Sequence, residues 1–137
     1  MADLWDFVAT RRRGVLATVK RDGRPQLSNV LYGVNPDERT ILVSVTDDRA
    51  KVSNIRRDPR VSFHVTSDDF WQYVVADGDA VLSAVAAAPD DEAVNELVAL
   101  YRVLQGEHPD WNDFRRAMVA DRRLVLRIHV THLYGQA

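Results

Sequence analysis

The chain has 137 residues, 46% hydrophobic and 28% charged, which suits one soluble globular domain over 1–137 with room for a real core. Its 18 Lys and Arg against 20 Asp and Glu leave a formal charge of -2, which argues against a whole-surface nucleic-acid binder and leaves a local anion site open. No cysteine is present, so disulfides, thiolate metal sites and cysteine nucleophiles are excluded.

Leu4, Trp5 and Val8 sit at helical spacing and predict a short amphipathic helix over 2–12, stopped by Gly14. The β-rich 15–20 and 25–33 flank Arg21-Asp22-Gly23-Arg24, a hairpin signal because the favoured turn needs positive φ. A turn at Asn35-Pro36-Asp37-Glu38 leads to a third strand, 40–46. Asp47 or Asp48 then caps a helix over about 49–57, which Asp58-Pro59 ends. Strands follow at 60–66, 70–76 and 79–85, the last two joined by a turn at Asp77-Gly78. Pro89 opens a helix striped by Val94, Leu97, Val98, Tyr101 and Leu104 and ended by Gly106. Trp111, Phe114 and Met118 stripe a second helix, 110–120, and 123–130 is the closing strand. Six or seven sequential strands with inserted helices predict a mainly β (α+β) fold, an antiparallel sheet curled into a small barrel.

No apolar run approaches the roughly 20 residues that span a bilayer, and Met1 to Arg13 lacks the apolar segment of a signal peptide. The expectation is a cytoplasmic protein with neither a membrane nor a nucleic-acid partner. Glycine-rich dinucleotide and phosphate loops, a Gly-x-Ser-x-Gly nucleophile turn and His-Glu-x-x-His are all absent. His129 and His132, three apart in a strand, are expected on opposite faces; His64 and His108 stand alone, so no metal site is expected.

Three stretches carry the candidate chemistry. Ser44 to Arg57 joins a strand end to a helix start, and Arg49 and Lys51 stand in the first helical turn, where cations oppose the helix dipole. Such cations make sense where an anion, phosphate above all, is to be held; the alternative is a solvated helix whose Asp47 and Asp48 pair with its own cations. Gln26 and Ser28 share one face of their strand, Leu27 and Asn29 the other, and the polar groups either meet water or read a ligand's heteroatoms. Trp71 and Tyr73 share a strand face, as core, as interface or as a platform for a planar ligand.

The order Gly14-Val-Leu-Ala-Thr, Asp22-Gly23-Arg24-Pro25-Gln26-Leu27-Ser28-Asn29-Val30 and Arg49-Ala-Lys51-x-x-Asn54-Ile-Arg-Arg57-Asp58-Pro59 resembles the split β-barrel flavin and deazaflavin oxidoreductases. That group is similar to pyridoxamine 5′-phosphate oxidase, and the pattern is nearest to its branch that binds the deazaflavin coenzyme F-420. The resemblance runs over nearly the whole chain. It implies an FMN-binding type of split barrel and a homodimer with cofactor sites at the subunit interface. It implies that Lys51, with Arg49, Ser44 and Asn54 nearby, holds the cofactor phosphate. Gln26, Ser28 and Asn29 would line the ring and ribityl chain, and Trp71 and Tyr73 would flank the pocket, in one version from the partner chain. Lys20, Arg21 and Arg24 would form a basic rim for the glutamate tail of F-420. The implied activity is hydride transfer between F-420 and a small planar or conjugated substrate. The alternatives are an FMN-dependent oxidase of the pyridoxamine phosphate type and an F-420 carrier without turnover; some relatives bind haem. Because the cofactor carries the hydride chemistry, no catalytic side chain is named.

Overall fold

The computed structural model describes residues 3–137; Ala2, at the start of the predicted first helix, lies outside them. Helix α1 (Leu4–Ala9) is capped by Asp3, whose carboxylate accepts the Trp5 N–H at 2.9 Å, and it buries Trp5, Phe7 and Val8. It ends at Thr10, earlier than expected. Gly14 is instead part of strand β1 (Arg13–Val19), beside the ring of Phe63.

Next come β2 (Pro25–Leu31), β3 (Gly33–Asn35), a single 3₁₀ turn at Pro36–Glu38, β4 (Thr40–Thr46), α2 (Ala50–Arg57) and β5 (Arg60–Thr66). The chain continues through β6 (Tyr73–Leu82), α3 (Glu92–Gln105), α4 (Trp111–Ala120) and β7 (Arg123–Gln136). The strands form one antiparallel sheet in the order β2-β1-β5-β6-β7-β4-β3. Its two edge strands, β2 and β3, follow one another in the chain with only Tyr32 between them. The sheet therefore curls until its edges share one bent segment, which gives the expected mainly β split barrel with flanking helices.

Tyr32 fixes that corner. Its hydroxyl donates to the Val8 carbonyl at 2.6 Å, its N–H to the Arg12 carbonyl at 2.9 Å, and its ring meets Phe63 edge-on at 4.9 Å. Burial pushes the phenol's pKa well up, so it remains a donor at any physiological pH. The interior is filled by alternate residues of each strand, including Leu16, Ile41, Val43, Phe63, Leu124, Leu126 and Ile128, all essentially inaccessible. A second, smaller core lies outside the barrel, where Val94, Leu97, Val98 and Phe114 of α3 and α4 pack on Val125 of β7. Asp91, not Pro89, starts α3: its carboxylate accepts the Val94 N–H at 2.9 Å. Arg127 of β7 pairs with Glu96 of α3 across the same seam.

Two strand expectations are corrected. Asp77-Gly78 is not a turn but the middle of β6, which runs unbroken where two strands separated by a turn were expected. β7 continues past residue 130 to Gln136, and its register against β6 shifts after Gly78 pairs with Val130, leaving Thr131 as the extra residue of a bulge. The bulge resets the alternation. His129 and His132 consequently both lie on the outer side of the sheet, contrary to the expectation of opposite faces. His129 meets the Thr40 hydroxyl at 3.3 Å, and His108 accepts the Asp110 N–H at 2.9 Å. No helix among the described residues is long and apolar enough to cross a membrane.

Candidate functional site

Helix α2 packs on β1 and bonds through its side chains to Thr18 of β1 and to Gln26 and Ser28 of β2. No side chain caps its N-terminus: Arg49 is the N-cap, with extended backbone and no capping hydrogen bond. The expected caps are engaged elsewhere. Asp47 accepts from Arg56 at 2.7 Å and Arg122 at 3.1 Å, and Asp48 accepts from Thr46 at 2.7 Å. Those two arginines hold the Asp47 carboxyl below its ordinary pKa. The first turn holds no acidic residue, and the N–H groups of Ala50 and Lys51 meet no backbone acceptor among the described residues. The positive end of the helix is thus left open.

Asn54, expected near the phosphate, is buried between α2 and the barrel and is absent from the wall of the cavity that Arg49 and Lys51 line. It donates to Thr18 at 3.1 Å and to Gln26 at 2.8 Å, and it accepts from Arg57 at 3.0 Å. It thereby ties α2 to β1 and β2, in part through the side-chain oxygen of Gln26. Asn54→Ala is expected to lower stability by about 2 kcal/mol, because it strands buried polar partners. A thermal melt shifted by less than a degree would show that these bonds contribute nothing.

Ser28 and Asn29 diverge as predicted, Ser28 turned toward α2 and Asn29 exposed on the opposite face. Lys51 donates to the Ser28 hydroxyl at 3.4 Å. Partial burial, and after it the neighbouring Arg49 charge, lower the Lys51 pKa from its ordinary value. Arg49, Lys51 and Ser44 line one cavity of about 420 Å³, together with Asn29, Val30 and Leu31 of β2. A third cation that sequence reasoning passed over, Arg123, joins them and donates to Ser44 at 3.2 Å. In the β4–β7 ladder Ser44 pairs with Val125 and Thr46 with Arg123, so residues 44 and 123 are diagonal neighbours, a proximity that only the sheet order reveals. Among the described residues, Lys51 and Arg123 have neutral hydroxyl partners and Arg49 has no side-chain partner. The one carboxylate on the cavity wall, Asp121, is exposed at the rim and pairs with none of the three. Two cations held by hydroxyls and a third, Arg49, with no side-chain partner among the described residues give this wall of the cavity a positive charge that an anion could meet.

The rest of the wall is mostly apolar, formed by Leu97, Leu100, Tyr101 and Leu104 of α3 and by Phe114 and Met118 of α4, with the exposed Gln105 amide at the end of α3. Sequence periodicity marked this stripe as packing. Val94, Leu97 and Val98 do pack, but Tyr101, Leu104 and Met118 are only half-buried and face the cavity.

The aromatic pair behaves differently from expectation. Trp71 is not in a strand. It lies with Phe70 in the β5–β6 turn, where both are more than three-quarters exposed, at 79% and 77%. Phe70 holds a left-handed φ of 73°, and the turn is braced by Asp69, which accepts from Ser67 at 2.6 Å and from the Trp71 N–H at 3.0 Å. Tyr73 starts β6 and stacks on His64 at 5.7 Å on the outer face of the sheet. Neither aromatic lines the cavity within its own chain. Lys20, Arg21 and Arg24 are exposed at the β1–β2 turn, toward the C-terminal end of α2, where Arg57 donates to the Val19 carbonyl. They are not part of the cavity wall.

A curled antiparallel sheet with a cationic cleft at its seam is a recurrent architecture, and the sequence profile decides which one this is. The profile of the pyridoxamine 5′-phosphate oxidase family matches residues 2–137. The chain belongs to that family. Among solved structures it resembles Rv2991 of Mycobacterium tuberculosis at a TM-score of 0.77 and 25% identity, over 99% of this chain and 84% of that one. An F-420 reductase matches at a TM-score of 0.70 and 24% identity, over 94% of each chain. The haem storage protein HutZ of Vibrio cholerae matches at a TM-score of 0.70 and 18% identity, over 96% and 90%. These solved structures share the barrel, while two of their names point to different cofactors.

Proposed function

We propose that this chain is an F-420-dependent oxidoreductase that exchanges a hydride with a small planar or conjugated substrate. The observation that carries it is the convergence of Arg49, Lys51 and Arg123 on one cavity with no carboxylate partner. That charge suits a coenzyme bearing a phosphate and a carboxylate tail, and the stretches 22–30 and 49–59 supply the family pattern of the F-420 branch. The bound deazaflavin supplies the hydride chemistry. Lys51 and Arg49 hold the phosphate, with the open N–H groups of Ala50 and Lys51 beside them. Ser44 keeps Arg123 directed into the cavity, and Asn54 and Gln26 hold α2 in place.

The site is completed by a second copy of the chain. The outer face of β2, β1, β5 and β6 carries Leu27, Leu31 and Tyr73 exposed, with Val15, His64 and Val75 between them in register, and Tyr134 of β7 beside Val75. An uncovered apolar sheet face of this kind is an association surface. Docking there brings the rigid Phe70–Trp71 turn to the partner and supports the expected role of Trp71 and Tyr73 as flanks of the partner's pocket. Light scattering at micromolar concentration is expected to give a dimer, and Leu31→Asp a monomer with weakened cofactor binding. A wild-type monomer would remove the interface pocket.

Parallel fluorescence titrations with F-420 and FMN test the cofactor. Tighter binding of F-420 supports the proposal, and preference for FMN moves the chain to the oxidase side of the family. F-420 binding without turnover over a panel of planar acceptors leaves a carrier.

A further inference from the structure

The apolar part of the cavity has an occupant of its own. We propose that the chamber under the α3–α4 elbow binds the uncharged, planar, carbonyl-bearing substrate, with Tyr101 as its hydrogen-bond donor. This rests on the cofactor reading above, in which the cationic part belongs to the coenzyme.

The wall is built from side chains that the second core does not fully absorb. Leu97 and Leu100 are buried, whereas Leu104 of α3 and Met118 of α4 turn apolar surface into the cavity and remain only half-buried. Leaving that surface wet is unfavourable at about 25 cal/mol for each Å², so an apolar ligand is stabilised by covering it. Met adapts its shape to irregular ligands.

Tyr101 and Gln105 are the polar side chains that α3 brings to the wall, and Tyr101 is the one held in place. Three aromatic rings fix it: Phe114 at 5.0 Å, His108 at 5.3 Å and Trp111 at 5.7 Å. Trp111 is itself fixed, its indole N–H donating to Glu107 at 2.9 Å and its ring lying under the Arg102 guanidinium at 4.7 Å. A phenol clamped by three rings loses little freedom when it binds a ligand. Its hydroxyl has no hydrogen-bond partner among the described residues, and no buried side-chain polar atom among them lacks one, so this hydroxyl is reached by solvent. No charged side chain stands among the α3 and α4 residues of the chamber wall. The fitting ligand is therefore uncharged and apolar over most of its surface, with an acceptor oxygen for the phenol. At about 420 Å³ the whole cavity exceeds the volume of a bicyclic ring system, leaving room for an anion as well.

The test uses prodan, a neutral naphthyl ketone whose emission shifts blue in apolar surroundings, on the full chain without substrate turnover. Wild type is expected to bind it. Leu104→Trp, which fills the chamber, is expected to weaken binding about tenfold or more. Tyr101→Phe keeps the ring contacts, and with them the melting temperature, and is expected to weaken prodan binding about fivefold through the lost hydrogen bond. Inorganic phosphate binding should be unchanged in both variants, whereas Lys51→Ala should lose phosphate and keep prodan. Prodan affinity unmoved by Leu104→Trp overturns the chamber, and affinity unmoved by Tyr101→Phe overturns the role of the phenol. Competitive displacement of prodan by F-420 also overturns the proposal, since the chamber would then hold the coenzyme ring. Prodan binding that responds to both variants in a protein that ignores F-420 would sink the cofactor reading alone.

Discussion

Lys51→Ala is expected to weaken F-420 binding about tenfold or more, and Arg49→Ala together with Lys51→Ala about a hundredfold, each lost charged hydrogen bond being worth roughly 1.5–3 kcal/mol. The cause is local. Among the described residues Lys51 has only the Ser28 hydroxyl as a side-chain partner and Arg49 none, so their charges can meet a ligand. The pH dependence has a definite sign. Burial and Arg49 lower the Lys51 pKa, so the empty site gives up this proton at a lower pH than an ordinary lysine would. The neutral amine cannot pair with an anion, so affinity should fall as pH rises through that lowered value. For the empty protein, linkage runs the other way: the unfolded state holds the proton longer, so this group adds stability as pH rises through the same window. Lys51→Arg should keep most of the affinity and abolish the alkaline fall, because arginine stays charged. Isothermal titration across the alkaline range reads both effects. An unchanged dissociation constant in Lys51→Ala would remove the anion from α2.

The fold was largely legible in the sequence because its signals are local. The Asp22-Gly23 turn, with Gly23 at a φ of 86°, and the alternation in 40–46 and 60–66 act over a few residues. Lys51 was legible for the same reason, as a cation in a helix's first turn. Arg123 was not. It is far from Lys51 in the chain and reaches the cavity only because β7 lies beside β4, a pairing that no local pattern encodes. The partners of Asn54 were not legible either, because helical spacing cannot say which face of α2 meets the barrel; Thr18 and Gln26 decide that. Trp71 was misplaced by propensity: an aromatic run reads as strand, but Ser67 and Asp69 fold it into a turn. Tyr101 and Leu104 carry a core-like stripe, and only the gap between elbow and barrel turns their exposed halves into a wall.

Gly78→Ala is expected to destabilise the protein by about 2–3 kcal/mol and to lower its melting temperature by roughly 10 °C. Two physical requirements select glycine in an Asp-Gly pair: positive φ in a turn, or room for a close backbone approach. Gly78 is of the second kind. It is absent from the described residues with positive φ, and a Cβ there would stand 2.3 Å from the His129 carbonyl oxygen and 3.0 Å from the Ile128 side chain. Neither neighbour yields easily, since Ile128 is fully buried and His129 pairs with Thr40 and Asp79 in the sheet. The contact lies where the β7 bulge inserts Thr131, and that bulge turns Leu133 inward and Tyr134 outward. Forcing the strands apart here should therefore loosen the outer face proposed for dimer contact as well as the core. Gly23→Ala is the matched control. It has the positive φ of a true turn and nothing within 4 Å of an added Cβ, so its loss should be about 1 kcal/mol of backbone strain. Equal losses in the two variants would mean that residues 77–78 are held by turn geometry after all, and a larger loss at Gly78 means that strand packing selects this glycine.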